Sequence, residues 1–322
     1  MKSKIAKLTS KRFLTLLLLL FSLSACAPAP QTKQEILSVR HYLVTETIVL
    51  HNYGEGKPEK QNLWVALIRD FPPYQEVHAR EISPAPSQLF TDEYGNEYAE
   101  FDFSAQPPQT KITVEIQYDI SVNEIRYDLS DCRGELLSQN TAPELHIESA
   151  NPQIMQLAAD LSQDSVCKSA RAFYDYVGDT LHYTHNKNDW GAQATLGFMG
   201  SDCTEYASLL IALSRAEDIP ARYFEGILYL DAETDQLAHT QHAWLDLYLP
   251  GIGWTAVDPT LGRMKSNREN YFAHYTPDHI IVTSGRTPSP LRGSSYISHL
   301  YWPGNSTKIT IDRLAWEITP SE

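Results

Sequence analysis

Along Lys111-Ile112-Thr113-Val114-Glu115-Ile116-Gln117-Tyr118 apolar and polar residues alternate, so an extended segment there has one apolar face and one wet face. Further β patterns cover Val39 to Leu50, Asn62 to Arg69, Glu76 to Ile82, Gln88 to Phe90 and Tyr98 to Phe103, with a Tyr94-Gly95-Asn96 turn between the last two. Short strands separated by Gly and Pro turns predict an antiparallel β-sandwich over residues 35–135. The period then changes, and Pro152 to Leu161 and Val166 to Gly178 read as helices. A further helix is predicted from Cys203, because Asp202 at the N-cap and Glu205 three positions on form a capping box. It runs through the apolar stretch Tyr206 to Ala216 and stops near Asp218-Ile219-Pro220, where proline cannot donate to the preceding turn. Thr240 to Leu249, the turn Pro250-Gly251-Ile252-Gly253 and Trp254 to Asp258 predict a hairpin, and Lys308 to Glu317 alternates as a last strand. The expected fold class is α+β: the sandwich, an α+β core over 145–285, and a C-terminal β extension over 286–322 packing on that core.

The first 25 residues read as a signal peptide. Lys2, Lys4, Lys7, Lys11 and Arg12 form a basic region before the apolar run Phe13 to Leu23, which is too short for a spanning helix of ~20 residues. Leu23-Ser24-Ala25-Cys26 looks like a bacterial lipobox, which implies that Cys26 is lipidated and becomes the mature N-terminus. Ordinary cleavage, with Cys26 an incidental thiol, is the alternative. Residues 26–34 hold an Ala/Pro tether, Ala27-Pro28-Ala29-Pro30, outside any core. Acyl chains would anchor the protein to a membrane without a spanning segment. Ala27 after Cys26 points, by resemblance to sorted lipoproteins, to the outer membrane or cell surface. Without positions 1–25 the chain keeps 21 of its 26 Lys+Arg against 40 Asp+Glu, a net charge of −19. That surplus excludes nucleic acid and anionic lipid as partner surfaces and favours basic or neutral substrates.

Candidate chemistry centres on Cys203. The free N–H groups and macrodipole of a helix N-terminus favour negative charge, and thiolates placed there have pKa values lowered from ~8.5 to between ~3.5 and ~7.5. A lone Cys is more often a small buried hydrophobe, but here His242 and Asp258 follow in chain order. Nucleophile, base and orienting carboxylate are the set a thiol needs to open an amide carbonyl. In the simple hairpin register Leu249 pairs with Trp254, so Asp258 faces Leu245 and His242 lies three residues on, about 10 Å away; a bulge, twist or departure of the chain at Pro259 must close the gap. Asp246, on the His242 face of its strand, is the rival orienter.

The blocks Trp190, Gly200 to Leu210, Ile219-Pro220-Ala221-Arg222, His242-Ala243-Trp244 and Gly253 to Thr260 resemble the core of the transglutaminase-like superfamily of papain-like fold. The resemblance covers about residues 145–285. It implies Cys203 as nucleophile, His242 as general base and acid, Asp258 as the group fixing the His242 tautomer, and the Cys203 N–H in the oxyanion hole. Trp190 and Trp244 are carried over as oxyanion or substrate contacts, with packing the alternative for Trp190. Cys132 and Cys167 remain as a disulfide or as two free buried thiols, an oxidising compartment permitting the first. His239 and His242 stand three apart on a predicted strand and point to opposite faces, and no Cys-x-x-Cys or His-Glu-x-x-His occurs, so no metal and no cofactor is expected. His182 and His185 read as surface or packing residues. The expected activity is a cysteine hydrolase acting on peptides, proteins or cell-wall peptide stems through a thioester. The alternatives are an acyltransferase with an amine acceptor and a non-catalytic envelope binding or assembly module.

Overall fold

The protein is described by a computed structural model over residues 33–184, 190–197, 200–229 and 241–321. The signal peptide, Cys26, His185 and His239 lie outside the described residues. In chain order the first strands are β1 (Gln34–Asn52), β2 (Lys60–Leu67), β3 (Gln75–Ser83), β4 (Gln88–Thr91), β5 (Glu97–Asp102) and β6 (Thr110–Tyr127). The helices α1 (Pro152–Leu161), α2 (Val166–Thr180), α3 (Ala192–Thr195) and α4 (Cys203–Ala216) follow. Then come β7 (Ala221–Leu228), β8 (Gln241–Leu249), β9 (Gly253–Val257), β10 (His274–Tyr275), β11 (His279–Ser284), β12 (Ile297–Trp302) and β13 (Ile309–Ser321). Residues 33–322 form one compact unit, so the expected sandwich and core are not separate bodies. None of the helices among the described residues is long and apolar enough to cross a membrane.

Three antiparallel sheets carry the strands, and the protein is mostly β. β1 and β6 pair along their whole length, from Gln34 opposite Tyr127 to Asn52 opposite Thr110. This sheet adds β13 on β1, and β3 and β10 on β6. A second sheet runs β12-β2-β5-β4 and a third β11-β7-β8-β9. Even-numbered residues of β1 and β6, from Tyr42, Val44 and Ile48 to Val114, Ile116 and Ile120, are fully or nearly fully buried, which is the one-sided burial the alternation predicted.

The C-terminal segment corrects an expectation. Rather than packing on the core, β13 pairs with β1 and β12 with β2, so residues after 290 complete the two N-terminal sheets. Alternation announces that one face of a strand is buried; it does not say which free edge the strand will join. The edge of β1 carries unpaired N–H and C=O groups until β13 covers it. Four strands had no counterpart in the sequence reading: β7, β10, β11 and β12.

Two buried side-chain amides tie the third sheet to the rest. Gln75 donates from Nε2 to the Ile281 carbonyl at 2.9 Å and accepts the Ile281 N–H at 2.7 Å. Asn96 does the same at Ser284, at 2.8 Å for each bond. Each amide stands in for a peptide group of a neighbouring strand, so the free edge of β11 is satisfied from outside its own sheet. A disulfide joins Cys132 to Cys167 on α2 with Cα atoms 6.1 Å apart, closing a loop of sequence separation 35. A loop of that length is worth about 4 kcal/mol in the chain-entropy account.

One side chain works against the fold. Glu46, in the middle of β1 and opposite Trp316 and Ile116, is fully buried, and neither carboxylate oxygen has a hydrogen-bond partner among the described residues. Burial holds its pKa well above 4.5, so the folded protein keeps the acid neutral while the unfolded chain ionises. The raised value means the ionisation penalty is absent below pH 4.5 and grows as pH climbs toward the folded-state value. Glu46→Met should therefore stabilise the protein at pH 8 by about 1–3 kcal/mol, with the gain shrinking toward pH 4.5; thermal denaturation of the two proteins across that range checks it.

Candidate active site

Cys203 is presented by a helix that the sequence caps locally. Asp202 Oδ1 accepts the Thr204 N–H at 2.9 Å, and Glu205 Oε2 accepts the Asp202 N–H at 3.1 Å, which is the reciprocal capping box. Helix α4 then runs through eleven consecutive buried residues, Glu205 to Arg215. Cys203 occupies the first helical position and is a free, partly exposed thiol. The loop leading into it is held by a bridge in which Ser201 donates to the His182 carbonyl at 3.2 Å and Thr184 donates to the Ser201 carbonyl at 2.9 Å. His182 thus serves through its backbone. Glu205 is buried at the same helix end; burial first, and then the Asp202 charge, push its carboxyl up to about 7.

His242 lies on β8, 3% exposed. Its Nε2 is 2.7 Å from Asp258 Oδ2. Its Nδ1 is buried with no hydrogen bond among the described residues, and Cys203 is near enough to contribute to its electrostatics. Burial alone would lower the His242 pKa, but the Asp258 carboxylate, with a smaller contribution from Cys203, raises it to about 10.

The register explains how Asp258 reaches His242. Leu249 pairs with Gly253, Tyr248 with Trp254 and Leu245 with Val257, one residue away from the register expected from the sequence. The turn is Pro250-Gly251-Ile252, with Gly251 and Gly253 at φ 73° and 99°, and Gly253 already belongs to the ladder. A slip of one residue moves every side chain to the other face. Asp258, just past the end of β9, continues opposite Trp244 and so shares the face of His242. Asp246, the rival orienter, is engaged elsewhere: it is fully buried, bonded by Arg222 Nε at 3.0 Å and by the Tyr74 hydroxyl at 3.2 Å.

Asp258 is saturated with donors. Oδ1 accepts the Thr260 and Leu261 N–H groups at 2.8 and 2.9 Å, and Oδ2 accepts from His242 and also from His279 Nε2 at 3.0 Å. Burial would raise its pKa, but His242 and then His279 outweigh that and hold it well below the usual carboxylate range. His279, at the start of β11 and 3% exposed, was missed in the sequence; its one signal is a histidine leading the apolar run Ile280-Ile281-Val282.

The two tryptophans divide. Trp244 is 1% exposed, stacks on His242 at 5.9 Å and turns its ring toward His279 at 4.8 Å. It packs behind the imidazoles and does not offer a surface to substrate, which corrects the substrate-contact expectation. Trp190 is 56% exposed, edge-on to His146, and the next residue, Gly191, donates to Glu205 at the foot of α4. Gly226 faces His242 across β7 and β8; a Cβ there would lie 2.0 Å from the Ile280 carbonyl oxygen and 2.4 Å from the Trp244 ring.

His242, Asp258 and His279 gather their ligand atoms within 4.8 Å. Both imidazoles approach the same carboxylate oxygen at 2.7 and 3.0 Å, whereas ligands around a tetrahedral ion bound at about 2.0–2.1 Å stand roughly 3.3 Å apart. The donors are in contact with one another, so the trio fits hydrogen bonding better than a metal.

The transglutaminase-like superfamily model matches residues 155–259, which contain Cys203, His242 and Asp258. The uncharacterized protein YebA of Bacillus subtilis (strain 168) is 24% identical across 45% of this chain; the match spans 23% of YebA, so the chain covers about a quarter of that relative. A crystal structure from Cytophaga hutchinsonii, provisionally named a cysteine protease, shares the fold: TM-score 0.65 at 15% identity, over 90% of this chain and 93% of that one. The periplasmic domain of TgpA from Pseudomonas aeruginosa superposes over 69% of this chain and 90% of its own, at 15% identity, with a TM-score of 0.36, too low for a common overall fold.

Two outcomes are expected. His242→Ala should slow alkylation of Cys203 by iodoacetamide at pH 7 by tenfold or more, on the order of one charge-assisted contact, as read by peptide mass spectrometry. Gly226→Ala should cost about 1–3 kcal/mol of stability through overpacking against backbone, read as a lowered denaturation midpoint.

Proposed function

Proceeding from a chain that carries a transglutaminase-like superfamily domain, we propose that it is a cysteine hydrolase of peptide or amide bonds. The observation that carries this reading is an imidazole with one nitrogen on Asp258, at 2.7 Å, and the other left for the free thiol at the start of α4. His242 Nδ1 takes the Cys203 proton, and the thiolate adds to the amide carbonyl to form a tetrahedral oxyanion. The Cys203 N–H, at the positive end of α4, stabilises that oxyanion. His242 returns the proton to the leaving amine, the C–N bond breaks and a thioester remains. Water, deprotonated by His242, then cleaves the thioester to a carboxylic acid and regenerates the thiol. An amine taking the place of that water would make the enzyme an acyltransferase.

The wider reading is of an extracytoplasmic lipoprotein anchored through Cys26, with the two N-terminal sheets as a β-sandwich scaffold. The Cys132–Cys167 disulfide supports an oxidising compartment. The structure named as a cysteine protease from Cytophaga hutchinsonii supports hydrolysis over transfer. Peptides and cell-wall peptide stems are the substrates to try first, without cofactor.

The deciding experiment incubates the protein with a glutamine-containing peptide library, with and without a fluorescent primary amine, beside Cys203→Ala. Cys203-dependent release of new carboxyl termini or glutamate is expected. Amine-conjugated products in excess of acid would favour the acyltransferase, and peptide retention without turnover, unchanged by Cys203→Ala, would favour a binding module.

A further inference from the structure

Asp258 holds two imidazoles, and only one of them has a place in the mechanism. His279 sits outside the matched segment 155–259, on β11, which the side chains of Gln75 and Asn96 fix from the neighbouring sheets. Its ring is held at both nitrogens: Nδ1 is 2.9 Å from Thr276 Oγ1 and Nε2 is 3.0 Å from Asp258 Oδ2. An ionised carboxylate only accepts, so His279 carries a proton on Nε2 and donates it to Asp258, while Nδ1 is tied to the Thr276 hydroxyl. Tyr275 donates its hydroxyl to the His279 carbonyl at 2.6 Å, which pins the start of the strand. An imidazole that is buried and tethered at both nitrogens is not free to deliver protons to substrate. It can only act on Asp258.

We propose that His279 is a positioning residue of the catalytic centre: its N–H on Asp258 Oδ2 draws charge from the carboxylate, and so sets how firmly Asp258 keeps the proton on His242. The proposal rests on the thiol–imidazole reading above and deepens it. With four donors, Asp258 stays ionised and aligned, yet no single donor receives its full charge. His242 must give its proton up to the leaving amine in every turnover, and an orienting carboxylate with fewer competing donors would hold that proton too strongly. The titratable groups facing this trio are Cys203 on α4; Tyr174 on α2, which senses the Asp258 charge; Tyr275 on β10; and Tyr271, its ring 6.5 Å from His279.

The test reads the pH profile of Cys203 alkylation by iodoacetamide, site by site by peptide mass spectrometry, and needs no substrate. A coupled pair titrates in two macroscopic steps, and the step abolished by His242→Ala reports loss of the His242 proton. His279→Phe, which removes the donor, should move that step up by about 0.4–1 pH unit, the equivalent of one neutral hydrogen bond. His279→Gln, whose amide nitrogen takes the place of Nε2, should leave it at the wild-type pH. If His279→Phe does not fold, His279→Asn replaces it, keeping a polar partner for the Thr276 hydroxyl but no donor on Asp258, with the same upward shift expected. A folded Phe or Asn variant whose step stays in place would overturn the proposal and leave His279 as packing. A wild-type profile with no His242-dependent step would instead sink the catalytic reading, and this inference with it.

Discussion

Everything at the candidate site turns on one buried carboxylate. Asp258 joins three parts of the chain that are remote in sequence: the hairpin of β8 and β9, its own turn through Thr260 and Leu261, and β11 through His279. An ionised group withdrawn from water is tolerated only when its lone pairs are met, and here four donors meet them. The same demand orders its surroundings, because each donor must come from a backbone or ring that something else holds. Trp244 wedges the two imidazoles, Gly226 makes room for Trp244, and the amides of Gln75 and Asn96 keep β11 in place. The N-terminal sheets therefore do more than carry the core, since they supply the side chains that fix one wall of the site.

A second charge system runs in parallel and is kept apart. Asp246 lies on the same strand as His242 and is as deeply buried, but Arg222 and Tyr74 satisfy it. Arg222 in turn lies 3.9 Å over the Trp254 ring. Two carboxylates close to one imidazole would compete for its proton. Giving each a separate set of donors leaves His242 with a single electrostatic partner besides the thiol.

Much of the site was legible in the sequence where the signal is local. The capping box at Asp202 and Glu205 placed Cys203 at the first residue of α4, and α1 spans the residues its periodicity marked, because caps and helical periods are settled within a few positions. What depends on partners was not legible. The β8–β9 register came out one residue off because Gly253 accepts a positive φ and enters the ladder early, something a run of Pro and Gly does not announce. His279 was invisible because its partner, Asp258, lies past the end of a different strand and meets it only in the fold. The C-terminal strands were recognised in part, but their place against β1 and β2 follows from free edges that exist only once the sheets form.

That last pairing bears on how the molecule is made. β1 is made before β2 to β12, yet the strand that closes its outer edge is β13, with His41 opposite Ser321 and Asn52 opposite Ile309. Until β13 is made, the stretch of β1 from His41 to Asn52 keeps a bare edge open to other extended segments. Contacts this remote in sequence also slow the search for the native sheet. The stretch His41 to Asn52 is therefore open to mispairing while β2 to β12 are being made.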